Sequence, residues 1–283
     1  MKRLRSVPIS QNVENFDLPQ GSYGSIMLEY DVTTASGQTG TRALAGTVEV
    51  EWNGETVIKT DVEALNLLNN VYGGIPEATF AAAGNNRMIV VLPLGLWTDP
   101  SNIWYIEKGD VVTVKLDFTN LASISTAGNV KIYGKSQIGV QGYLHKFITR
   151  KITAGAAGNI PDTYRINNIS QVYLKDPATS NVTDVFLQKN GETLVQASVV
   201  SLKAYSAYIH LLETAVTMIA IDLGESRDVR ENVGSDLNYE YTFSGAGTLN
   251  QYFSYISFTP DKEASSRAYA QMKLKSNIQR ALS

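Results

Sequence analysis

Alternating apolar and polar positions recur along the chain and predict short β-strands. In residues 25–32, Ile26, Leu28, Tyr30 and Val32 share one face of an extended segment, the period-2 pattern of a half-buried strand. Similar runs occupy residues 15–18, 47–52, 87–92, 110–118 and 129–140 in the first half of the chain and residues 239–243, 252–258 and 267–278 in the second. Strands that recur about every ten residues between turn signals are typical of a β-sandwich.

The apolar period changes to that of a helix at one place in each half. Thr60 and Glu63 fit a capping box, which predicts a short helix over residues 61–70. In the second half, Ser198 or Ser201 can cap another short helix. Its apolar positions are Leu202, Tyr205, Ile209 and Leu212. Each half therefore combines several strands with one short helix.

A repeated segment precedes the helix in each half. VEVEWNGET at residues 48–56 returns as VFLQKNGET at residues 185–193, and both copies carry Asn-Gly, which tolerates the positive φ angles of a type I′ hairpin turn. Two further pairs follow in the same order, residues 88–95 with 218–224 and residues 135–138 with 275–278, and the three offsets are 137, 130 and 140 residues. Collinear pairs at similar offsets predict two copies of one unit of about 130–140 residues.

The length of the chain agrees with this duplication. A chain of 283 residues suits two domains that each bury a core. Each copy has room for about eight strands, the number in a jelly roll. We therefore predict an all-β fold of two tandem eight-stranded jelly rolls with a short helix in each. The predicted limits are an N-terminal arm at residues 1–14, a first roll at 15–145 and a second roll at 146–283, with a connection at 142–160 that ends in a flexible stretch at 154–159.

Composition removes several classes of function. Cysteine is absent, which excludes a disulfide framework, a thiolate zinc site and a cysteine nucleophile. With 24 basic and 27 acidic residues the net charge is −3, so the overall surface is not suited to coating nucleic acid. Neither a run of 18 apolar residues nor the apolar core of a signal peptide occurs in the sequence, so we expect no transmembrane helix and no secretion by that route.

Candidate catalytic and metal-binding residues are few. The two histidines, His145 and His210, stand in no sequence relation to a nucleophile or an acid, and we interpret both as structural or solvated. The oxygen-rich residues 176–184 could hold calcium but lack the spacing of an EF-hand, so a solvated hairpin loop is the favoured interpretation. A second acidic stretch occupies residues 222–225, and nucleotide-binding loops are missing. We therefore predict no catalytic, cofactor-binding or metal-binding residues.

Aromatic and basic residues leave two more possibilities. Trp52, Trp97 and Trp104 could form a platform for stacking sugars, although buried anchors are the commoner role of tryptophan. The basic start of the chain, with Lys2, Arg3 and Arg5, could lie on phosphates or on an anionic bilayer. Three charges are few for that purpose, and a frayed terminus is the simpler expectation.

The order of these features resembles that of the double jelly-roll major capsid proteins of membrane-containing icosahedral bacteriophages, and most of all the small corticovirus type. In the first roll the resemblance rests on Asp17-Leu18-Pro19 and residues 26–30 and 48–54; in the second it rests on the basic connector at residues 147–151 and on residues 160–166 and 185–191. It covers almost the whole chain and depends more on the order of the motifs than on any one of them.

The resemblance implies a structural role in a virion. Three chains would form a homotrimer whose six rolls give a pseudo-hexagonal outline, and such trimers would tile an icosahedral capsid over an internal lipid membrane. The implied partners are the chain itself, neighbouring capsomers, minor capsid or vertex proteins and the membrane, without direct sequence-specific binding of nucleic acid. Lys2, Arg3 and Arg5 would face the membrane, and the loops at residues 35–40 and 176–184 would lie on the outer surface or at trimer contacts.

Two alternatives belong to other classes of function. A two-sandwich carbohydrate-active or amidase-type enzyme would be a monomer with a cleft that holds acidic residues and a tryptophan. A sugar-binding module or spike would expose a stripe of Trp and Tyr on one sheet. Neither explains why both copies are nearly whole and equally featureless, so we expect a protein that is not an enzyme.

Overall fold

A computed structural model describes residues 1–35, 42–73, 84–97, 102–137, 144–165, 169–189, 191–210, 217–223 and 237–257. The strands of the first half are β1 (Lys2–Pro8), β2 (Val13–Asp17), β3 (Gly21–Thr34), β4 (Thr47–Trp52), β5 (Glu55–Asp61), β6 (Gly84–Pro93), β7 (Trp104–Ile106), β8 (Val112–Asp117) and β9 (Ser125–Ser136). Those of the second half are β10 (Leu144–Ala154), β11 (Gly158–Tyr164), β12 (Ile169–Lys175), β13 (Val182–Lys189), β14 (Glu192–Ser198), β15 (Met218–Asp222), β16 (Leu237–Phe243) and β17 (Gly247–Ser257). The helices are α1 (Val62–Gly73), α2 (Thr119–Ile124) and α3 (Val199–Ile209).

The strands of each half form two sheets in the same order. In the first half the orders are β1-β9-β3-β6 and β2-β8-β4-β5, and in the second half they are β10-β17-β12-β15 and β11-β16-β13-β14. Numbered within its own half, each pair of orders is identical once β7, which pairs with β3, is set aside. Two facing sheets of four strands, connected across the sandwich, make a jelly roll. The predicted duplication of an eight-stranded roll is therefore confirmed.

The two rolls share one continuous sheet. Strand β5 of the first roll pairs in parallel with β10 of the second, with Ile58 opposite Phe147 and Lys59 opposite Ile148. This short pairing joins β2-β8-β4-β5 to β10-β17-β12-β15 in an eight-stranded sheet. Backbone hydrogen bonds thus cross the boundary between the rolls and fix their positions side by side.

Each roll encloses its own apolar core. The first core contains Ile26, Leu28 and Tyr30, the alternating residues that identify β3 in the sequence. The second contains Tyr241 and Phe253 from the two sheets of the second roll. The first core also takes in five residues of the second roll, namely Leu144, Phe147, Tyr173, Met218 and Tyr252. These five side chains mark the face with which the second roll meets the first.

The repeated Asn-Gly turn forms as expected in the first copy. Asn53 and Gly54 have φ angles of 50° and 83°, the left-handed region that a type I′ turn requires at both central positions. In the second copy Gly191 has a φ of 84°, whereas Asn190 lies outside the described residues. The offset of 137 residues continues through β5 and β14 into the helices, so Val62 at the start of α1 corresponds to Val199 at the start of α3.

The start of the chain is ordered rather than frayed. Residues 2–8 form β1, which pairs with β9 along most of its length, and Val7 is buried in the first core. The physical reason is that β1 occupies the place in the first roll that β10 occupies in the second. The predicted arm at residues 1–14 therefore contains a strand of the first roll, and the domain limits at 15–145 and 146–283 stay predictions.

The predicted connection at residues 142–160 is not a linker. Its residues 144–154 form β10, which lies between β5 and β17, and β11 begins at Gly158. The basic connector at 147–151 belongs to β10, and its Phe147 is buried between the rolls. The basic side chains of this segment are typical of an exposed connector and led to the wrong prediction. They occur in β10 because a strand at the junction between the rolls contacts polar groups as well as the apolar core.

Two of the repeat pairs need a new alignment. Met88, Val90 and Leu92 point into the first core, whereas Ile219, Ile221 and Leu223 point into the second, so the true offset between β6 and β15 is one residue longer than the sequence match. The counterpart of β9 is β17. Residues 275–278, which the sequence matched to β9, lie outside the described residues, as do residues 267–278 as a whole.

Candidate assembly surfaces

Charged and polar residues of both rolls meet at their junction. Lys175 on β12 forms an ion pair with Glu63 at the start of α1, and its Nζ lies 3.9 Å from Asp61 Oδ1. The hydroxyl of Tyr252 donates a 2.6 Å hydrogen bond to the other oxygen of Asp61. At the end of the shared strand pair, Lys146 on β10 forms an ion pair with Glu55 on β5. Partly buried pairs of this kind fix the register of a contact more than they stabilise it.

Aromatic rings fill the junction behind these charges. Tyr252 and Phe147 are stacked with their centroids 5.8 Å apart. Tyr72 near the end of α1 stacks on Trp97 at 5.7 Å and meets Tyr173 of the second roll edge to face at 6.2 Å. Contacts of this geometry add to the apolar area that they bury. The junction is therefore packed like a core and not like a hinge.

The two histidines lie at this junction between the rolls. His145 is buried, its Nε2 lies 2.7 Å from Ser254 Oγ, and burial lowers its pKa to about 4. His210 caps the end of α3, and its ring packs edge to face on Tyr72 at 4.8 Å. Burial also lowers the pKa of His210, although the negative charge of Asp222 acts in the other direction and raises it. The structural or solvated role that the sequence suggested for both histidines stays a prediction.

The other residues singled out in the sequence have packing roles. Trp52 and Trp104 are buried and meet edge to face at 5.3 Å, and Trp97 is half-buried against Tyr72. Residues 176–184 are not a hairpin loop, because residues 176–181 connect β12 to β13, which lies in a different sheet, and residues 182–184 already belong to β13. Within the part of the chain that the structure describes, no cluster of His, Asp or Glu could hold a metal ion, and no helix is long and apolar enough to cross a membrane. Gly224 and Glu225 of the second acidic stretch lie outside that part.

The basic residues at the start of the chain are carried by β1. Lys2 and Arg3 are exposed, and Arg5 donates from Nε to Glu14 Oε1 at 2.6 Å. Among the described residues β1 pairs with β9 alone, so its other edge is open. In the second roll the same edge of β10 is covered by β5. The three basic residues therefore lie at an open sheet edge that has a covered counterpart in the same chain.

The two equivalent helices differ in what covers them. Val62, Leu65 and Asn69 of α1 and their counterparts Val199, Leu202 and Ser206 of α3 all face inward and are buried. The outer face of α1 is also buried, with Leu68 0% and Val71 5% exposed, because β15 and other parts of the second roll lie against it. The corresponding outer face of α3 is exposed. Its main residues are Val200 (79% exposed), Tyr205 (61%), Tyr208 (77%) and Ile209 (49%).

Sequence analysis missed this surface. It assigned Tyr205 and Ile209 to the buried side of the helix, together with Leu202, and only Leu202 is buried; Leu212 lies outside the described residues. One residue of the sequence did indicate the inward side of α3. Ser206 occupies the position in the repeat that Asn69 occupies in α1, and both of these polar residues are buried. Apolar residues of this size that form one exposed face commonly mark an interaction surface.

Comparison with known proteins finds similarity in fold and not in sequence. No protein-family model matches the chain, and no curated protein matches it in sequence. Solved structures match over most of its length. The major capsid protein P2 from bacteriophage PM2 superimposes with a TM-score of 0.59 at 16% identity, covering 92% of this chain and 96% of that one. The chain is a double jelly roll.

Two further structures have the same double jelly-roll fold. A chain of the Sulfolobus Turreted Icosahedral Virus matches with a TM-score of 0.64 at 13% identity, covering 96% of both chains. A chain of the PBCV-1 virus capsid matches with a TM-score of 0.60 at 11% identity, covering 90% of this chain and 92% of that one. The resemblance drawn from the sequence is confirmed at the level of the fold.

Proposed function

We propose that this double jelly roll is a major capsid protein, and that it acts in the virion as a self-assembling structural unit rather than as an enzyme. The observation that carries the proposal is the pair of rolls with identical strand order, fixed side by side by one shared sheet. A chain built in this way presents nearly equivalent flanks, which suits repeated contacts in a closed ring. The likeness in fold to three viral capsid chains along almost the whole length supports the same role.

The assembly unit that we propose is a homotrimer. Three chains supply six rolls and a pseudo-hexagonal outline, and such units can tile an icosahedral shell over an internal lipid membrane. Its partners would be neighbouring trimers, minor capsid or vertex proteins and the membrane. The exposed apolar face of α3 supports self-association, because a monomer would leave those side chains in water.

The sugar-binding and enzyme alternatives gain less support. The sugar-binding alternative requires an exposed aromatic platform, whereas Trp52 and Trp104 are buried and Trp97 is stacked on Tyr72. A catalytic role for either histidine is disfavoured, because both rings are held in the junction between the rolls.

The first test is the mass of the purified protein in solution, measured by size-exclusion chromatography with light scattering. We expect a stable species with three times the chain mass of 30.9 kDa. A species that stays at one chain mass up to high concentration would overturn the proposal.

The membrane contact predicted for Lys2, Arg3 and Arg5 has a separate test. If these residues face the membrane, the triple Ala variant, compared at a protein concentration at which it is still a trimer, should lose binding to vesicles that contain anionic lipid, at about 1 kcal/mol for each charge. A variant that binds such vesicles like the original chain would refute this placement.

A further inference from the structure

We infer that a second copy of this chain covers the exposed face of α3 and the open edge of β14 with the β1-β9-β3-β6 sheet of its first roll, and that Glu192 of one copy forms an ion pair with Lys2 of the other. This contact repeats between copies the contact that joins the two rolls within one chain. The inference rests on the proposed self-assembly and names the residues that would perform it.

The open strand edges are the first observation. Within the chain, β5 of the first roll pairs with β10 of the second. The counterpart of β5 is β14 and the counterpart of β10 is β1, and in the described part of the chain these two strands have open outer edges. An exposed edge is a template for pairing with another chain. The chain thus carries both halves of the same contact, one on each roll.

The strand ladders give the residue correspondence. In the second roll Lys146 stands opposite Tyr255 and Phe147 opposite Ser254, and in the first roll Lys2 stands opposite Gly134 and Arg3 opposite Tyr133. Because β17 and β9 correspond along their whole paired length, Lys146 corresponds to Lys2, Phe147 to Arg3 and, across a bulge, Ile148 to Arg5. The repeat pairs Glu55 with Glu192 and Ile58 with Val195.

The residues that correspond to the ion pair of the junction lie on the surface of the chain and have the same two charges. Lys146 and Glu55 form an ion pair between the rolls. Their counterparts Lys2 and Glu192 are both exposed in the single chain. Opposite charges at the two corresponding positions are what a repeated contact between copies requires, and like charges there would have opposed it.

The exposed helix face and the exposed sheet face both carry more polar residues than the corresponding faces of the intrachain contact. Leu68 and Val71 of α1 are replaced at the corresponding positions of α3 by Tyr205 and Tyr208. On the sheet side, four of the five side chains of the second roll that enter the first core have counterparts in the strand ladders: Met218, Tyr173, Tyr252 and Phe147 correspond to Arg87, Glu29, Lys131 and Arg3. Both surfaces have become more polar together.

Tyrosine suits this second surface. Arg87 and Lys131 lie 3.0 and 3.6 Å from Glu29, and Tyr133 donates to the same carboxylate at 3.0 Å, so the charges of the sheet are already arranged. A tyrosine ring can pack over such cations while its hydroxyl stays hydrated or hydrogen-bonded. A contact of this composition is typical of an interface between chains that fold before they associate.

A cysteine pair tests the geometry directly, because the natural chain has no cysteine. Arg3 and Val195 correspond to Phe147 and Ile58, which are paired across the shared sheet and therefore lie within reach of a disulfide. In the chain that carries both Arg3→Cys and Val195→Cys, mild oxidation should give bands at two and three chain masses on a non-reducing gel. Chains with only one of the two substitutions should give neither band.

The mass of the same samples separates the two proposals. A species of three chain masses without the disulfide bands would place the interface elsewhere and overturn this inference, while the proposed function would stand. A protein that is a single chain before any substitution would overturn the proposed function itself. A disulfide confined to one chain would also contradict the inference, because the two residues would then meet within a copy.

Charge reversal tests the ion pair without any crosslink. Lys2→Glu and Glu192→Lys should each raise the dissociation constant of the assembly by about threefold or more, and the double variant should restore it. The matched control is Lys108→Glu, another exposed lysine, which should change nothing. Equal effects of all three single substitutions, or no recovery in the double variant, would argue against the pair.

The helix face has its own variant. Tyr208→Ser should raise the dissociation constant at least fivefold, as loss of a buried interface aromatic does, and Val111→Ser, at another exposed apolar residue, should not. If instead residues of the same chain cover α3, Tyr208→Ser would lower the thermal stability of the single chain without dissociating the assembly, and the inference would be wrong.

Discussion

At the scale of single residues, side chains at the junction serve both rolls at once. Asp61 accepts a 2.7 Å hydrogen bond from the backbone amide of Ala64, which caps α1, and a 2.6 Å bond from Tyr252 of the second roll. The sequence predicted Thr60 as the cap, but Thr60 is still part of β5. In α3 the cap is Ser198, one of the two residues that were predicted, since its Oγ accepts a 3.2 Å hydrogen bond from the backbone amide of Ser201. Local patterns locate a helix start within one residue, and the tertiary partner selects among the candidates.

His145 should make the stability of the protein depend on pH. Burial holds its pKa at about 4, below the value of 6.5 in an unfolded chain. Between these values the unfolded chain takes up a proton that the folded chain does not, so stability is lost as the pH falls from 6.5 towards 4. We expect a loss of about 1.5 kcal/mol between pH 6.5 and 5, measured from urea unfolding at a fixed protein concentration.

The control is the His145→Gln variant. Its free energy of unfolding should change less between pH 6.5 and 5 than that of the original chain, whatever its absolute stability. Carboxylates such as Asp31 and Asp117, whose pKa values are lowered by hydrogen bonds, lose their stabilising effect mainly below about pH 5. Equal slopes above pH 5 in both proteins would show that His145 is not the group responsible.

At the scale of elements, the same helix occupies corresponding places in the two rolls but is held with different strength. Asn69 on α1 donates to the carbonyl of Val91 at 2.8 Å and accepts from its amide at 2.6 Å, which ties the helix to β6. On α3 the corresponding Ser206 accepts one longer bond, 3.4 Å, from Ala220 of β15. The repeat preserves which helix and strand the contact joins, although Ala220 lies two residues before the counterpart of Val91, and the side chain sets how much the contact contributes.

Removing these tethers should have unequal effects. Asn69→Ala leaves two part-buried backbone groups of β6 without these partners, and we expect the free energy of unfolding to fall by about 2–4 kcal/mol. Ser206→Ala is the matched control and should cost less than about 1 kcal/mol. Urea unfolding of both variants measures the difference, and equal losses would contradict the importance that we assign to the Asn69 bonds.

At the scale of the whole molecule, the shared sheet makes the two rolls one body. The pairing of β5 with β10 brings backbone hydrogen bonds, the Lys146 ion pair and the Phe147 ring to the same boundary. A boundary packed in this way resembles an obligate interface more than the polar contacts between loosely joined domains. Neither roll is complete without the other at this surface.

The two rolls should therefore unfold together. Phe147→Ala opens a cavity between them and should cost about 3–5 kcal/mol, and hydrogen exchange should speed up in α1 as well as in β12. Phe243→Ala, inside the second core alone, is the control, because it should speed exchange in the second roll first. Two separate unfolding transitions in the original chain would contradict this expectation.

Much of the fold was determined by the sequence alone. The period-2 runs at β3, β4 and β16, the Asn-Gly turn and the collinear repeats predict the strands, the duplication and the all-β class, because these features depend on side-chain alternation and local backbone preference. Each alternating run, turn and repeat unit is defined by residues that are neighbours in the sequence, so the pattern can be recognised without knowledge of the tertiary structure.

Tertiary structure decided where the two copies meet and which surfaces stay open. That β1 and β10 are strands, that Tyr205 and Tyr208 face outward, and that Lys2 corresponds to Lys146 follow only from pairing between residues far apart in the chain. A helix with apolar residues on several sides does not show by itself which side is covered, since that depends on what packs against it. The second roll covers α1, and α3 remains for a partner.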